Sequence, residues 1–319
     1  MIKDEKIRRV ARLTVRRWQL VATENPVAQK MAMAKFKLTD LGVNGGVGQR
    51  AVYLCGPPGI GKTHSIVEQE AVWRARGIQP LRFRPSNVRE LVDYFEESAG
   101  RRPLIMEEAD VIFRSKPMFE ILKQATDPLT PDIFFKMSKI GKEKVAVPIN
   151  LNVPIVVSTN MDLMGESGWR QELLADRDAL FNRSAPISIE HDPVALWEWS
   201  VYLALTSHLT MGVTTRNPTG GRPIEQSNPL SVQAEAIDWF TDHVNELSVI
   251  SPRTLKQVAQ IMGRAHRGDM PKALREQELG SLLSERSTDP ILIPAKADWG
   301  LLLKTMPKIG STVTQLKAA

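Results

Sequence analysis

The chain has 319 residues, of which 42% are hydrophobic and 24% are charged, a composition typical of a soluble globular protein with a buried core. The formal net charge of +6 permits contact with nucleic acid but does not establish it. Because Cys55 is the only cysteine, an intrachain disulfide and a cysteine zinc site are excluded. We recognise neither a signal peptide nor an apolar run that could span a membrane, and we therefore expect a cytoplasmic protein without membrane contact.

The first predicted element is an amphipathic helix over residues 3 to 22, with apolar side chains at helical spacing. Arginines occupy much of its remaining surface: Arg8, Arg9, Arg12, Arg16 and Arg17. Either they form the solvated face of a helix packed on the core, or they contact nucleic acid or a partner. With a second helix predicted over residues 26 to 38, residues 1 to 44 are interpreted as a basic N-terminal extension.

A glycine-rich motif at residues 56–63 carries the prediction of function. It reads G-P-P-G-I-G-K-T and fills the phosphate-loop pattern G-x-x-x-x-G-K-[ST]. Residues 51–55 before it predict a buried strand, and residues 64–74 after it predict a helix. Backbone N–H groups in such a loop and at the helix start bind phosphate oxygens.

The motif predicts which residues bind a nucleotide. They are Gly56, Pro57, Pro58, Gly59, Ile60, Gly61, Lys62, Thr63 and His64. We expect Lys62 to reach the β- and γ-phosphates and the hydroxyl of Thr63 to ligate Mg²⁺.

A pair of carboxylates follows the next two predicted strands. Strands are expected at residues 81–84 and 104–106, with a helix over residues 88–98 between them. The second strand runs directly into Glu107 and Glu108. Alone, such a pair would fit the start of a helix. Downstream of a phosphate loop, it predicts that Glu107 holds the Mg²⁺ shell and that Glu108 orients the attacking water.

The middle of the chain continues the alternation of strands and helices. A helix is predicted over residues 113–126, a β-hairpin over 133–150, a strand over 153–158 that leads to Asn160, a helix over 171–181 and a last strand over 185–189. The hairpin carries four lysines around its turn: Lys136, Lys139, Lys142 and Lys144.

After residue 191 the predicted elements are all helical. Helices are expected at residues 194–209, 232–247 and 252–267. Residues 212–229 are rich in Gly, Pro, Asn and Thr and predict a mobile loop. Residues 269–319 are predicted as a tail to which we assign no role.

The order of these motifs over residues 45–268 resembles that of the AAA+ ATPases. Residues 56–63 resemble the Walker A motif, and residues 104–108 resemble Walker B, although Glu107 stands where the family usually has aspartate. The resemblance implies an α/β fold whose parallel sheet is flanked by helices over residues 45–190, followed by an all-helical lid over residues 191–268. It also implies ATP hydrolysis with Mg²⁺ in a homo-oligomeric ring, most often a hexamer.

The resemblance also implies roles for single residues. Glu108 matches the catalytic glutamate, and Asn160 matches sensor 1, which positions the attacking water. Arg183 lies where the family has the arginine finger that acts on a neighbouring subunit, with Arg170 and Arg177 as nearby rivals. Arg253, in the lid, matches sensor 2.

The substrate is predicted from the hairpin, which resembles the pre-sensor-1 hairpin of some AAA+ branches, including helicases. Its four lysines would contact DNA phosphates, so we expect ATP-driven work on DNA by a helicase, translocase or helicase loader, similar to small ATPases of phage or mobile-element replication. A MoxR-like remodeller or chaperone with a protein partner stays open, because its branches share the hairpin. A nucleotide-switched loader scaffold also stays open, because Glu107 departs from the family pattern.

Overall fold

The structure is a computed structural model, which describes residues 14–44, 50–98, 100–140, 143–166, 169–183, 186–189, 192–215, 224–284, 291–293 and 297–308. The chain divides into two compact units, residues 1–29 with 191–319 and residues 30–190. We call the described part of the second range the sheet unit and the described part of the first the helical unit.

The strands in chain order are β1 (Ala51–Cys55), β2 (Leu81–Phe83), β3 (Leu104–Met106), β4 (Asp132–Ile140), β5 (Glu143–Asn150), β6 (Ile155–Thr159), β7 (Ile187–Ser188), β8 (Gly212–Thr215) and β9 (Ile224–Ser227). Five of them form one parallel sheet in the order β2-β3-β6-β1-β7. The prediction of an α/β fold with a parallel sheet is confirmed.

The helices in chain order are α1 (residues 14–24), α2 (Pro26–Asn44), α3 (Lys62–Ala75), α4 (Val88–Ser98), α5 (Lys116–Ala125), α6 (Gln171–Arg183), α7 (Pro193–Thr206), α8 (Leu230–Asp242), α9 (Pro252–His266), α10 (Lys272–Gly280) and α11 (Trp299–Thr305). A 3-10 helix covers Ala109–Arg114. Each described helix is too short or too polar to cross a membrane.

The sheet is covered on both faces, which explains why its strands read as continuous apolar runs. Along β1, Tyr53 and Cys55 belong to a cluster with Phe113 and Trp169, whereas Val52 and Leu54 belong to another cluster. Successive side chains of a strand point to opposite faces, so β1 anchors two cores at once. Burial raises the pKa of the Cys55 thiol, as fits its predicted role as a small core residue.

Several predicted bounds are wrong; the helix expected over residues 232–247, for example, ends at Asp242. The helix expected from residue 113 begins at Lys116, after the 3-10 helix, because Pro117 occupies the first turn of α5 and disfavours helical backbone before it. In the expected loop over residues 212–229, β8 and β9 form an antiparallel pair, so the region predicted as an all-helical lid over residues 191–268 also contains two short strands. The run Val213–Thr214–Thr215 is β-branched, which favours strands.

The predicted β-hairpin over residues 133–150 is confirmed. β4 and β5 pair antiparallel from Asp132↔Asn150 to Ile140↔Glu143, with a register shift between Ile133 and Lys136. The expected turn lies partly outside the described residues, since residues 141 and 142 are not among them.

The helical unit contains part of the N-terminal extension and part of the C-terminal tail. Trp18 on α1 lies edge-on to Trp197 and Trp299, with ring centroids 5.8 and 5.6 Å away. Nε1 of Trp299 donates a hydrogen bond to Asp238 (2.9 Å). The tail segment α11 is therefore part of this core. Arg16 is exposed, as expected for a solvated basic face.

Candidate nucleotide site

The phosphate loop depends on three glycines with left-handed backbone. Gly56, Gly59 and Gly61 have φ values of 141°, 86° and 113°, which residues with a side chain rarely adopt. A Cβ added at Gly56 would lie 3.0 Å from the backbone oxygen of Ile189. Both backbone conformation and space therefore require glycine at the first position of the motif.

The side chain of Lys62 connects the phosphate loop to the residue that follows strand β6. The side chain is buried, and its Nζ donates hydrogen bonds to the carbonyl oxygens of Gly56 (2.6 Å) and Pro57 (2.9 Å). Its third contact is to Oδ1 of Asn160, at 3.1 Å. The structure thus brings together two residues that are 98 positions apart and that the motifs predicted for one site.

The remaining residues of the loop differ in their exposure to solvent. Ile60 is fully buried, which fixes the loop on the core. Pro58, Thr63 and His64 are exposed. Because α3 begins at Lys62 with Gly61 as its N-cap and no side chain caps it, the helix start can receive an anion.

Glu107 is held in a chain of ion pairs. It is 7% exposed, and its Oε2 accepts from Nε and Nη2 of Arg82 at 2.8 and 2.7 Å. Arg82 also pairs with Glu70 on α3 at 3.2 Å, and Glu70 pairs with Arg74 at 2.6 Å. The guanidinium therefore already neutralises the carboxylate predicted for Mg²⁺. This pairing was not predicted from the sequence.

Glu108 has an unusual backbone. Its φ of 50° and ψ of 39° are left-handed, and it is the one non-glycine residue with positive φ in the part of the chain that the structure describes. The side chain is 57% exposed and forms an ion pair with Arg84 at 3.2 Å. Such backbone costs about 1–3 kcal/mol and is found at functional sites, so the outlier points to a function for Glu108.

Asn160 follows β6, the strand between β3 and β1 in the sheet. The carboxyl ends of parallel strands meet at one edge, where ligands bind in open α/β sheets. Asn160 is exposed there, and its backbone N–H donates to Oδ1 of Asp110 (2.8 Å). Asp110 was not among the predicted site residues, since its distance of 50 positions from Asn160 leaves no local signal.

The predicted arginine finger, Arg183, is bound within its own unit. Its Nη1 pairs with Asp127 (3.1 Å) and donates to the carbonyl oxygen of Lys123 (2.8 Å). The N–H groups of Thr130 and Leu129 and then Arg183 lower the pKa of the Asp127 carboxyl. The action of Arg183 on a neighbouring subunit stays a prediction.

The two rival arginines differ in exposure. Arg170 has a side chain 62% exposed and lies 3.5 Å from Glu172. Arg177 is 19% exposed and donates to the carbonyl oxygen of Gly165 (3.2 Å). Exposure therefore favours Arg170 over Arg177 as a rival to Arg183.

Arg253 and the hairpin lysines lie on other elements. Arg253 is exposed on α9 of the helical unit, two residues after the N-cap Ser251. On the hairpin, Lys139 is paired with Lys144, and Lys136 with Val147. Lys142 lies outside the described residues.

The loop residues fit a nucleotide phosphate. The glycine backbone, the Lys62 ammonium and the uncapped start of α3 supply the donors that an anion needs. For Mg²⁺, Thr63 and Glu107 match sites that combine one or two protein oxygens with substrate phosphates. Oε2 of Glu107 is shared with Arg82, so a cation would compete with the guanidinium.

Comparisons with known proteins find similar structures but no similar sequences. No family model matches the sequence, and no curated protein matches it. A replication initiator DnaA bound to AMPPCP and single-stranded DNA is 12% identical with a TM-score of 0.43, and the match covers 76% of this chain and 62% of that chain. A point mutant of RuvB from Thermotoga maritima is 15% identical with a TM-score of 0.41, and the match covers 80% of this chain and 69% of that chain.

NtrX from Brucella abortus in complex with ADP is 16% identical with a TM-score of 0.39, and the match covers 85% of this chain and 57% of that chain. This chain therefore spans less than two thirds of the DnaA and NtrX chains. Sequence identities and TM-scores as low as these carry no conclusion about the activity or the substrate of this chain.

The chain's own structure carries the assignment of the fold. The phosphate loop follows β1, the acidic pair follows β3, and Asn160 follows β6 between them in an all-parallel sheet of five strands. This is the arrangement that the motifs predicted. The chain therefore has an α/β fold with a five-stranded parallel sheet and a phosphate loop after its strand β1, the architecture that the resemblance stated above implies.

Proposed function

We propose that this chain binds ATP at residues 56–64 and hydrolyses it. The observation that carries the proposal is the contact between Lys62 and Asn160, at the sheet edge where the strand before Glu108 also ends. A phosphate cradle, a cation, an amide and an exposed carboxylate are then available to one substrate. Those four groups are among the ones that position the substrate and stabilise charge in phosphoryl transfer.

Each residue has a chemical role in the proposal. Lys62 exchanges the carbonyl oxygens of the loop for phosphate oxygens, and Asn160 keeps its amide close to the γ-phosphate. Glu108 accepts a hydrogen bond from the attacking water and orients it. Mg²⁺, bound through Thr63 and Glu107, would neutralise phosphate charge. Arg253 keeps the sensor 2 role that the resemblance implies.

We further propose a homo-oligomer, in which Arg183 reaches the γ-phosphate in a neighbouring subunit. Arg183→Ala should bind ATP and lose about 100-fold in turnover, since one donor to the transition state is removed. Mixing it with Glu108→Gln subunits, which keep the finger, should restore part of the activity. Steady-state ATPase assays of defined mixtures measure this.

The matched control is Asp127→Asn, which removes the same ion pair but keeps the arginine. Asparagine can still accept from the backbone of Leu129 and Thr130. If Asp127→Asn lost as much turnover as Arg183→Ala, the arginine would be structural, and Arg170 would be tested next.

DNA is the substrate that we propose for the ATP-driven work. The support is the hairpin, where Lys139 and Lys144 are paired and four lysines lie within nine residues, 136 to 144. Lysines that neutralise phosphates give a binding free energy that weakens as salt rises. The ATPase rate should therefore rise with single- or double-stranded DNA, and the stimulation should fade between about 50 and about 200 mM salt.

The variant Lys139→Ala/Lys142→Ala should lose the stimulation and keep the basal rate. Lys116→Ala/Lys272→Ala removes two charges at exposed positions elsewhere and should behave as wild type. Basal turnover with a flat response to every DNA would reject DNA as the substrate and favour a protein-remodelling ATPase. Binding of ATP with very slow turnover would favour a nucleotide-switched scaffold. Slow turnover would fit the Arg82–Glu107 pair, because Arg82 competes with Mg²⁺ for the Glu107 carboxylate.

A further inference from the structure

Asp110 is bound to the turn that follows β6 by three hydrogen bonds on one oxygen. Its Oδ1 accepts from the hydroxyl of Thr159 and from the backbone N–H groups of Asn160 (2.8 Å) and Met161 (3.3 Å). Thr159 is 1% exposed and Met161 is 6% exposed, so two of the three donors belong to buried residues. Asp110 itself lies in the 3-10 helix that begins directly after Glu108.

We propose that Asp110 is the positioning residue that couples the two halves of the site, the carboxylate Glu108 and the amide Asn160. The inference rests on the proposed ATP hydrolysis, and it names a residue that acts only through its neighbours.

The geometry explains why a carboxylate is needed at this position. The strand ladder does not extend past Thr159, because β6 pairs with β1 only up to Thr159 and with β3 only up to Val157. The N–H group of Asn160 therefore needs another acceptor, and the N–H group of Met161 is shared between Asp110 (3.3 Å) and the hydroxyl oxygen of Thr159 (3.1 Å). An ionised carboxylate accepts several donors, and charge-assisted bonds are about twice as strong as neutral ones.

The position of the Asn160 backbone also affects the phosphate loop. Asn160 is exposed, and its Oδ1 holds Nζ of Lys62. With the backbone of Asn160 fixed by Asp110, the amide can stay in place when Lys62 moves to a phosphate. Glu108, two residues before Asp110, is positioned by the same short helix. A shift of the turn would change the distance between the water-orienting carboxylate and the amide.

The test compares Asp110→Ala with Asp110→Asn. Asp110→Ala should lower kcat by about 10- to 100-fold, as small misplacements of reacting groups do, with the KM for ATP changed by less than about threefold, since the phosphate loop is untouched. Asp110→Asn keeps an accepting oxygen and should recover most of kcat. A purely structural role would lower stability in both variants without this split between kcat and KM.

Hydrogen exchange of the backbone amides supplies a readout that does not need turnover. In the nucleotide-free protein, the amides of Asn160 and Met161 should exchange about tenfold faster in Asp110→Ala and near the wild-type rate in Asp110→Asn. Thr159→Val removes the hydroxyl that donates to Asp110 and that also accepts from the N–H of Met161, and it should give an intermediate rate at Asn160. The exposed Asp93→Ala on α4 is the matched control and should change neither kcat nor exchange.

Wild-type kcat in Asp110→Ala, or unchanged exchange at Asn160 and Met161, would overturn the proposal while leaving ATP hydrolysis intact. If the wild-type protein did not hydrolyse ATP, the proposed function would fail by itself. Faster exchange in Asp110→Ala would then still support the positioning of the turn, and unchanged exchange would reject it.

Discussion

Lys62→Ala is expected to lower ATP turnover strongly and to weaken ATP binding by about 10- to 100-fold, the value of one charge-assisted hydrogen bond converted to affinity. The buried ammonium donates to the carbonyl oxygens of Gly56 and Pro57 inside the loop. Without it, no side chain neutralises the γ-phosphate from this side, and kcat should fall by about 1,000-fold. Equilibrium binding of a fluorescent ATP analogue and a steady-state ATPase assay measure the two effects.

Two controls separate this role from a loss of folding. The three hydrogen bonds of Lys62 Nζ also stabilise the loop, so thermal unfolding should be followed in parallel. Lys116→Ala removes a lysine that is exposed at the start of α5 and should change neither binding nor turnover. A folded Lys62→Ala protein with wild-type affinity for ATP would contradict the assignment of the nucleotide site to this loop.

The features that could be predicted from the sequence are those set by local patterns. Residues 51–55, 104–106 and 155–159 are strands, and their runs of apolar residues show it because both faces of the sheet are covered. The phosphate loop could be predicted because its glycines satisfy a backbone requirement that no other residue meets. Asn160 was predicted through the resemblance to the AAA+ ATPases, as the residue after an apolar strand that matches sensor 1.

The features that could not be predicted depend on partners far apart in the chain. Arg82 and Glu107 are separated by 25 positions, and the sequence does not say that they are paired. Asp110 reaches Asn160 across 50 positions, and Arg183 reaches Lys123 across 60. Periodicity predicts faces and elements, whereas ion pairs and capping contacts depend on the order of strands in the sheet. That order could not be derived from local patterns.

Glu108→Gln is expected to bind ATP within about threefold of wild type and to lose about 1,000-fold in kcat, the middle of the range for a general base. Glutamine keeps the length of the side chain but cannot accept the proton from the attacking water. The exposed ion pair with Arg84 is lost, which costs at most about 1 kcal/mol of stability. Glu97→Gln, which removes the exposed pair with Arg102 (2.8 Å), is the matched control and should keep full turnover.

Glu108→Gly separates the chemistry of this residue from its backbone. Because φ is 50° at Glu108, glycine should relieve strain and raise the free energy of unfolding by about 0.5–1 kcal/mol. Turnover should nevertheless fall as far as in Glu108→Gln, since the carboxylate is gone. A more stable and inactive variant would mean that the chain tolerates the strained backbone because it aims the carboxylate. A less stable Glu108→Gly variant would contradict the backbone strain. Wild-type turnover in Glu108→Gln would mean that the water-orienting role belongs to another residue.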